Sequence, residues 1–379
     1  METKNSHSIS ICLVTLLLAL PTVSLAATPW YSHGTSHTLT LTADGHVWSL
    51  GSNDYGQLGN GKVGGEALEP KQINGISGVV AVLAGGNHSV ALKKDGTVWA
   101  WGFNGAGQLG DNTTRISSSP YQVAGINNVK AIATGNSHVV ALKNDGTVWA
   151  WGGNGSGQIG NGSFLNCKTP VQVAGLQDVI SVTAGAFTTA ALKKDGSMWT
   201  WGFNGRGQLG NGSNERSATP IQVAGLNGVH AIAAGDWHVV ALKHDGTVWA
   251  WGSNHDSQLG TEQIAHSFSP EQVQGVTNIT DITASVGHTI AIAKNDSVWA
   301  WGDAGTGQWG NGTSVDGSTT PVLVSSLNGP VTVAAVVNPD TVLRDHDSHD
   351  GSSLLADAGI NNGKVSHARW SEAFVTASN

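Results

Sequence analysis

The chain has 379 residues, of which 52 are glycine and 15 are tryptophan, and only 12% are charged. Its 18 Lys and Arg residues are outnumbered by 26 Asp and Glu residues, so the formal net charge is −8. Because no basic block occurs, the sequence lacks the positive surface that duplex DNA or an anionic membrane requires. Nucleic acid is therefore excluded as the expected partner.

Residues 1–26 have the pattern of a secretory signal peptide. Lys4 precedes an apolar run over residues 9–20, and residues 24–26 carry small side chains at the two positions that signal peptidase inspects. The run is short for a bilayer-spanning helix, and no second run of spanning length follows. We expect a secreted, periplasmic or cell-surface protein whose mature chain, 27–379, has no membrane span. An uncleaved N-terminal anchor is the alternative.

Two cysteines occur, and one of them, Cys12, falls inside the predicted signal peptide. Cys167 is then the single thiol of the mature chain and cannot form an internal disulfide. The fold must therefore be stabilised by packing.

A repeat of about fifty residues organises the rest of the chain. Its signature is ALKKDGTVWAWGFNGAGQLG at 91–110. Close copies follow at 141–160, 191–210 and 241–260, and more divergent ones stand at 40–59 and 291–310. Six repeats are clear between about residues 33 and 330.

Each repeat predicts a small antiparallel sheet. Asp245-Gly246 is typical of a two-residue hairpin turn, because such turns need positive φ. In the unit around this turn, the predicted strands are 231–234, 238–242, 247–251 and an outer strand at 272–273 after Pro270. Four short strands in about fifty residues are typical of one propeller blade. No segment has apolar residues at helical spacing for three turns, which excludes a helical repeat.

Most tryptophans occupy two repeated positions on the third strand. Alternate residues of a strand point to the same face, so each Trp-x-Trp pair is predicted to fill the space between neighbouring blades. The eleven tryptophans at these positions are Trp48, Trp99, Trp101, Trp149, Trp151, Trp199, Trp201, Trp249, Trp251, Trp299 and Trp301.

The sequence predicts an all-β propeller of four-stranded blades and favours seven blades. Residues 331–379 match the repeat poorly but have the length of a degenerate seventh unit. The alternative is six blades, with residues 331–337 completing the first blade and the rest forming a tail.

The recurring Gly-x-x-His, Asp-Gly-x-Val-Trp-x-Trp-Gly, Asn-x-x-Gly-Gln-Leu-Gly and Pro-x-Gln-Val resemble the regulator of chromosome condensation repeat family. The resemblance covers roughly residues 33–337 and recurs six times in phase. It implies a seven-bladed propeller, and with its predicted signal peptide the chain resembles the secreted bacterial members of the family. The founding member is a nuclear nucleotide-exchange factor for a small GTPase, a function that fits a secreted chain poorly. Fold alone does not transfer function.

Two groups of polar residues are predicted to be structural. One histidine recurs per blade, at His37, His88, His138, His238 and His288, with Thr188 in the remaining place. Such periodicity indicates hydrogen bonds to the backbone at the first turn rather than catalysis. The polar run Asp345–Asp350 is predicted to be a solvated loop, and we expect neither a metal site nor a cofactor.

Partner-binding residues are predicted on the face opposite the Asp-Gly turns, where the units vary. Phe187 and Trp237 stand before the repeated His position, Asp236 lies beside them, and Arg206 and Tyr55 lie in the Asn-x-x-Gly turns. Aromatic and arginine side chains are the usual anchors of protein interfaces. The alternative is that Phe187 and Trp237 pack into the central channel.

We therefore expect a monomeric, non-enzymatic scaffold that binds a protein of unidentified kind. An enzyme needs convergent titratable groups, and no catalytic residue is singled out by the sequence. A carbohydrate-binding or carbohydrate-active propeller is the alternative, and a nucleotide-exchange factor is the weaker third possibility.

Overall fold

Short alternating strands separated by Asp-Gly and Asn-Gly turns produce a chain built from antiparallel sheets. The computed structural model describes residues 30–262, 265–305, 309 and 317–324. In these residues every regular element is a β-strand, and the strands form six four-stranded sheets. This confirms the predicted all-β propeller of four-stranded blades.

Each blade is four consecutive strands joined in chain order, all antiparallel. The first blade is β1 (Trp30–His33), β2 (His37–Leu41), β3 (Val47–Ser52) and β4 (Glu66–Gln72). The second is β5 (Val79–Ala84), β6 (His88–Lys93), β7 (Val98–Gly102) and β8 (Ser117–Gln122). The third is β9 (Val129–Thr134), β10 (His138–Lys143), β11 (Val148–Gly152) and β12 (Cys167–Gln172).

The remaining blades repeat this order. The fourth is β13 (Val179–Ala184), β14 (Thr188–Lys193), β15 (Met198–Gly202) and β16 (Ser217–Gln222). The fifth is β17 (Val229–Ala234), β18 (His238–Lys243), β19 (Val248–Ser253) and β20 (His266–Gln272). The sixth is β21 (Ile279–Ala284), β22 (His288–Ala293), β23 (Val298–Gly302) and β24 (Ser318–Leu323).

The first blade has four strands without residues 331–337, because β1 pairs with β2 there, and residues 331–337 themselves lie outside the described residues. One detail of the predicted blades is corrected by the structure. The outer strand begins before its proline, since Pro270 lies inside β20. Proline is tolerated on an outermost strand, where one edge makes no ladder bonds. Residues 331–379, favoured as a seventh blade, lie outside the described residues, as do residues 1–26.

The hydrophobic core is divided into clusters that each lie between two blades. Between the third and fourth blades, for example, Leu142 and Ile159 pack against Ala191 and the fully buried ring of Trp201. Trp199 packs against the same cluster from a half-buried position. Both tryptophans of one strand therefore face the preceding blade, as the Trp-x-Trp spacing predicted.

The inner tryptophan also makes a polar connection across the junction. The indole of Trp201 donates a hydrogen bond of 2.9 Å to the backbone oxygen of Gln158 in the preceding blade. The hydroxyl of Thr189 donates to the same oxygen at 2.8 Å. Gly160, two residues after Gln158, lies so close to the indole that an added Cβ would stand 2.7 Å from its Nε1. The Gln-Leu-Gly motif is therefore the docking edge for the tryptophan of the next blade.

The repeated histidines also connect neighbouring blades. The Nε2 atom of His138 shares a 3.0 Å hydrogen bond with Thr189 of the next blade, and His238 shares one of 2.9 Å with Thr289. The structural role of these rings agrees with the prediction. The predicted backbone partner was wrong, since a side-chain hydroxyl takes that place. In blade four Thr188 replaces the histidine, and blade five carries Val239 at the position equivalent to Thr189 and Thr289.

The motif Gly-x-x-His follows from the position of the ring. A Cβ on Gly235 would stand 2.4 Å from Cε1 of His238, so only glycine fits beneath the imidazole. In blade six Ser285 replaces this glycine, and Nε2 of His288 has no hydrogen-bond partner among the described residues. The series of histidine–hydroxyl pairs ends there.

Replacing Trp201 with phenylalanine should destabilise the fold more than the same change at Trp199. Trp201→Phe removes a buried inter-blade hydrogen bond and leaves a cavity, so we expect a loss of about 2–3 kcal/mol in the free energy of unfolding. Trp199 is half-buried and donates only to Ser197 of its own hairpin, at 3.2 Å. Trp199→Phe should therefore cost about 1 kcal/mol. Urea midpoints measure both, and equal losses would contradict the assigned role of the indole bond.

Stability should fall as the pH drops from 7 to 5. The five repeated histidines are at most 3% exposed. Burial lowers the pKa of these rings from 6.5 to between about 3 and about 4. Below pH 6.5 these rings therefore bind protons in the unfolded chain but not in the folded chain. Each ring lowers the free energy of unfolding by about 1.4 kcal/mol for each pH unit below that value. Burial raises the pKa of Asp236 and Asp281 to about 6 and also raises that of Asp256, which acts in the opposite direction but involves fewer groups than the histidines.

The chain supplies a control for this dependence. His138→Thr combined with Thr189→Val copies the Thr188 and Val239 pair found at the next junction. Between pH 7 and 5 this variant should lose about 2 kcal/mol less free energy of unfolding than the unmodified chain. Identical pH profiles from urea titrations would refute the contribution assigned to the buried imidazole.

Candidate functional site

One face of the propeller, formed by the Asp-Gly turns, is the same in successive blades. In blade three, the Asp145 carboxylate accepts hydrogen bonds from the backbone N–H of Thr147, at 3.0 Å, and from its hydroxyl, at 2.6 Å. These bonds, led by that from the hydroxyl, lower the pKa of Asp145. Lys143 lies 5.5 Å from the ring centre of Trp149. Blades two, four and five repeat this arrangement, so this face is scaffold.

The opposite face, here called the variable face, carries three changing positions per blade. The first-turn position precedes the repeated histidine and is Ser36, Asn87, Ser137, Phe187, Trp237 and Gly287. The exit position follows the glycine of Trp-x-Trp-Gly and is Ser52, Phe103, Gly153, Phe203, Ser253 and Asp303. The third-turn position precedes the repeated glutamine by two residues and is Tyr55, Ala106, Ser156, Arg206 and Asp256 in the first five blades.

Third-turn side chains lean over the following blade. The ring of Tyr55 in blade one lies 4.8 Å from that of Phe103 in blade two. The guanidinium of Arg206 in blade four lies 4.8 Å from the ring centre of Trp237 in blade five. A Cβ on Gly287 in blade six would stand 2.9 Å from Oδ2 of Asp256 in blade five. At these three junctions a side chain of one blade therefore lies against the next blade.

An aromatic cluster lies where blades four and five meet. Phe187 and Trp237 have ring centres 5.8 Å apart, and Phe203 meets Trp237 edge to face at 5.6 Å. Phe187 is only 6% exposed, whereas Trp237 and Phe203 are half-buried. Phe187 therefore supports Trp237 from below, and Trp237 with Phe203 reaches solvent. The sequence left open whether Phe187 and Trp237 bind a partner or pack inside. In the structure Phe187 is packed inside, whereas Trp237 is partly exposed.

Sequence reasoning missed Phe203. It occupies the exit position, and the change at this position from Ser52 through Phe103 to Asp303 is as marked as at the positions that were considered. An added Cβ on Gly205 would stand 2.6 Å from the Phe203 ring, so the Asn-Gly turn leaves space for it. The variation between blades at the exit position could have indicated Phe203 from the sequence.

Four of the five predicted partner-binding residues lie in one region of the variable face. Arg206 is stacked on Trp237 and donates a 3.4 Å hydrogen bond to the hydroxyl of Ser253. Asp236 precedes Trp237 in the same turn and is half-buried. Loss of solvent raises its pKa to about 6. Tyr55 is the exception, because it belongs to a separate pair with Phe103 at the first junction.

The arrangement is suited to recognition by stacking and charge. Within the described residues no group of three His, Cys, Asp or Glu side chains is placed to hold a metal ion. Cys167 has a free, half-buried thiol. The polar run Asp345–Asp350 lies outside the described chain. Over the same described ranges, no helix combines the length and apolar character needed to cross a bilayer.

Comparison with known proteins identifies the fold family. The family model described as RCC1-like domain matches residues 17–338. The human protein named probable E3 ubiquitin-protein ligase HERC3 is 42% identical over 91 residues, which is 24% of this chain and 9% of the relative. The chain thus matches only a small part of that relative's length.

Two solved structures of yeast proteins are similar over most of the chain. The structure of Kap60 bound to yeast RCC1 (Prp20) matches with a TM-score of 0.69 and 26% identity, covering 78% of this chain and 74% of that one. The structure of Prp20p from Saccharomyces cerevisiae, described with its binding to Gsp1p and histones, matches with a TM-score of 0.68 and 26% identity. It covers 78% of this chain and 76% of the other.

Proposed function

The chain belongs to the RCC1-like domain family, and from that premise we propose that it is a protein-binding propeller whose partner docks on the variable face. The observation that carries the proposal is the half-exposed ring of Trp237, held between Phe203 and Arg206 at the junction of blades four and five. Rigid aromatic rings give a large contact area at low entropic cost, and tryptophan and arginine are both enriched among the residues that dominate interface energetics.

The neighbouring structures support a protein partner in general terms. Yeast RCC1 is bound by Kap60 in one of them, and the other concerns binding to Gsp1p and histones. Similarity in fold does not by itself carry a specific activity to this chain. A nucleotide-exchange activity is therefore the weaker form of the proposal.

Carbohydrate binding is the second candidate, because sugars stack on exposed tryptophan rings. Arg206 already lies over the Trp237 ring, with its guanidinium carbon 4.8 Å from the ring centre. This stack occupies surface that a sugar would need, whereas a protein partner can bury the guanidinium and ring together. The geometry therefore favours protein over carbohydrate.

We further propose that the protein acts outside the cytoplasm, on the strength of the signal-peptide pattern in residues 1–26. The protein recovered from the medium, periplasm or cell surface of an expressing cell should begin near residue 27. N-terminal sequencing that found the mature chain still starting at residue 1 would contradict cleavage. Recovery only from the cytoplasm would contradict the location.

Trp237→Ala should abolish partner capture without unfolding the chain. Truncation of a central interface anchor typically weakens binding by about 2–4 kcal/mol, a loss of roughly thirtyfold or more. Quantitative pull-downs from extracts would compare the unmodified chain with this variant, and a glycan array probed with both would test the carbohydrate alternative.

The matched control is Trp149→Ala, which removes a half-buried tryptophan near the Asp-Gly face. Urea midpoints must show that both variants remain folded. Proteins lost with Trp237→Ala and retained with Trp149→Ala would support the assignment. Equal capture by all three chains would refute it, and glycan binding lost with Trp237→Ala would favour the second candidate.

A further inference from the structure

The buried hydrogen bonds between neighbouring blades differ from junction to junction. At the junction of blades three and four, His138 pairs with the hydroxyl of Thr189, and Thr189 and Trp201 both donate to the backbone oxygen of Gln158. The junctions of blades one and two and of blades five and six repeat this arrangement. Each of these junctions is therefore held in its buried middle by a shared hydroxyl as well as by the indole.

The junction of blades four and five keeps only the indole bond. Trp251 donates to the backbone oxygen of Gln208 at 2.9 Å, and within the described ranges no other side chain donates to that oxygen. Thr188 and Val239 stand at the histidine and hydroxyl positions, so neither member of the pair is present. The hydroxyl of Thr188 is directed into its own blade, where it donates to the backbone oxygen of Phe203 at 3.0 Å.

The junction of blades two and three shows that a missing hydroxyl can be replaced. Val139 stands at the hydroxyl position there, but His88 pairs at 2.8 Å with Thr134 on the first strand of blade three. Blade five carries Ala234 at the position of Thr134. Among the junctions that the structure describes, that of blades four and five therefore has the fewest buried side-chain hydrogen bonds.

Backbone hydrogen bonds at the edges of this junction are kept. The N–H of Ala186 donates to the oxygen of Asp236 at 3.1 Å, and that of Gly212 donates to the oxygen of Phe268 at 2.8 Å. The junction of blades three and four has equivalent bonds at both edges, so the two junctions differ in their buried middle. Because each buried hydrogen bond contributes to stability, the junction that lacks two of them should open locally more often.

The aromatic cluster of the variable face lies across the same junction. Phe203 and Arg206 belong to blade four, and both contact Trp237 of blade five, with the Phe203 ring centre 5.6 Å and the guanidinium carbon 4.8 Å from its ring centre. Phe187 of blade four meets Trp237 from below at 5.8 Å. All three contacts are lost when the two blades separate, so the cluster bridges the junction.

We infer that the propeller opens locally at the junction of blades four and five, and that a protein partner docked on the aromatic cluster holds this junction closed. The second part rests on the proposed function and adds a conformational consequence of docking. A partner that covers Trp237 together with Phe203 contacts both blades in their closed arrangement. Its binding free energy therefore favours that arrangement over the open one.

Hydrogen exchange of the indole N–H groups tests the first part on the full chain. Trp201 and Trp251 occupy equivalent positions and are both fully buried, so a difference in their exchange rates reports the opening of their junctions. In a chain labelled with ¹⁵N-tryptophan, the indole of Trp251 should exchange at least about tenfold faster than that of Trp201, since two buried hydrogen bonds are missing beside it. Equal rates, or slower exchange at Trp251, would overturn the inference.

Exchanging the residue pairs between the two junctions provides matched variants. Thr188→His with Val239→Thr installs the pair at the junction of blades four and five, where Gly185 is already present three residues before the histidine position. This variant should slow the exchange of Trp251 to about the rate of Trp201. His138→Thr with Thr189→Val should raise the rate of Trp201 to about that of Trp251 and leave Trp251 unchanged. Urea midpoints show whether both variants are folded, and rates that do not follow the pair would refute the inference.

The coupling to docking is tested from both directions. Trp237→Ala removes the bridge, so it should speed the exchange of Trp251 further while that of Trp201 stays the same. Val239→Thr alone adds a donor for Gln208 and leaves the bond from Thr188 to Phe203 in place. Because it favours the closed junction in advance, this variant should capture the proteins that Trp237→Ala loses about threefold more tightly than the unmodified chain.

The outcomes separate this inference from the proposed function. If Trp237→Ala loses its captured proteins but Val239→Thr captures them more weakly than the unmodified chain, the proposed function stands and the coupling is refuted. If Trp237→Ala captures normally, the proposed function fails and the coupling fails with it. Local opening of the junction is then decided by the indole exchange rates alone.

Discussion

The backbone carbonyl of the repeated glutamine is the point on which each junction between blades depends. In blade three, the backbone carbonyl of Gln158 accepts two hydrogen bonds from blade four, one from the indole of Trp201 and one from the hydroxyl of Thr189. A four-stranded sheet of this size cannot bury both its faces alone, so it is stable only against a neighbour. The two hydrogen bonds fix where that neighbour sits, because a buried donor displaced from its acceptor costs about 1–3 kcal/mol.

This constraint explains why the most repeated residues are not the functional ones. The second tryptophan of each pair, the glutamine carbonyl and the glycine beneath the indole all serve the junction, and they are buried there. The buried histidines serve it as well, since each neutral ring meets a hydroxyl of the next blade where one is present. None of these groups is available to a partner. Contact with a partner must use positions that the junction does not require.

The sequence predicted the blades well because their determinants are local. Asp-Gly turns, period-two strands and Trp-x-Trp pairs each act within about fifteen residues, and the structure has strands where these patterns place them. The first strand of blade one, Trp30–His33, was not predicted, because it precedes the first repeat signature and carries little of the repeat pattern itself. The partner of the histidines was also missed, because Thr189 lies 51 residues from His138 and no local rule joins them.

The candidate site was predictable in location but not in composition. Variation between units pointed to the correct face, yet only the structure shows that Phe187 is buried beneath Trp237 and that Phe203 completes the cluster. The reason is that each junction of this face is assembled from two blades, whereas a sequence repeat is read one blade at a time. Tyr55 and Arg206 occupy equivalent positions, but one meets Phe103 and the other meets Trp237, so their surroundings are set by the following unit.

Assembly from two units also separates recognition from stability. Asp256, Gly287 and Asp303 form a junction unlike the others that the structure describes on the variable face, yet Trp301 donates to Gln258 at 2.9 Å, as its counterparts do elsewhere. The hydrogen bond between blades is therefore kept whichever side chains the variable positions carry. A repeat protein of this kind can change the chemistry of one junction, from aromatic to acidic, without altering the bonds that hold the blades together. The strict repeat and the irregular face have the same cause: one set of residues holds the blades together, and a different set is left to contact a partner.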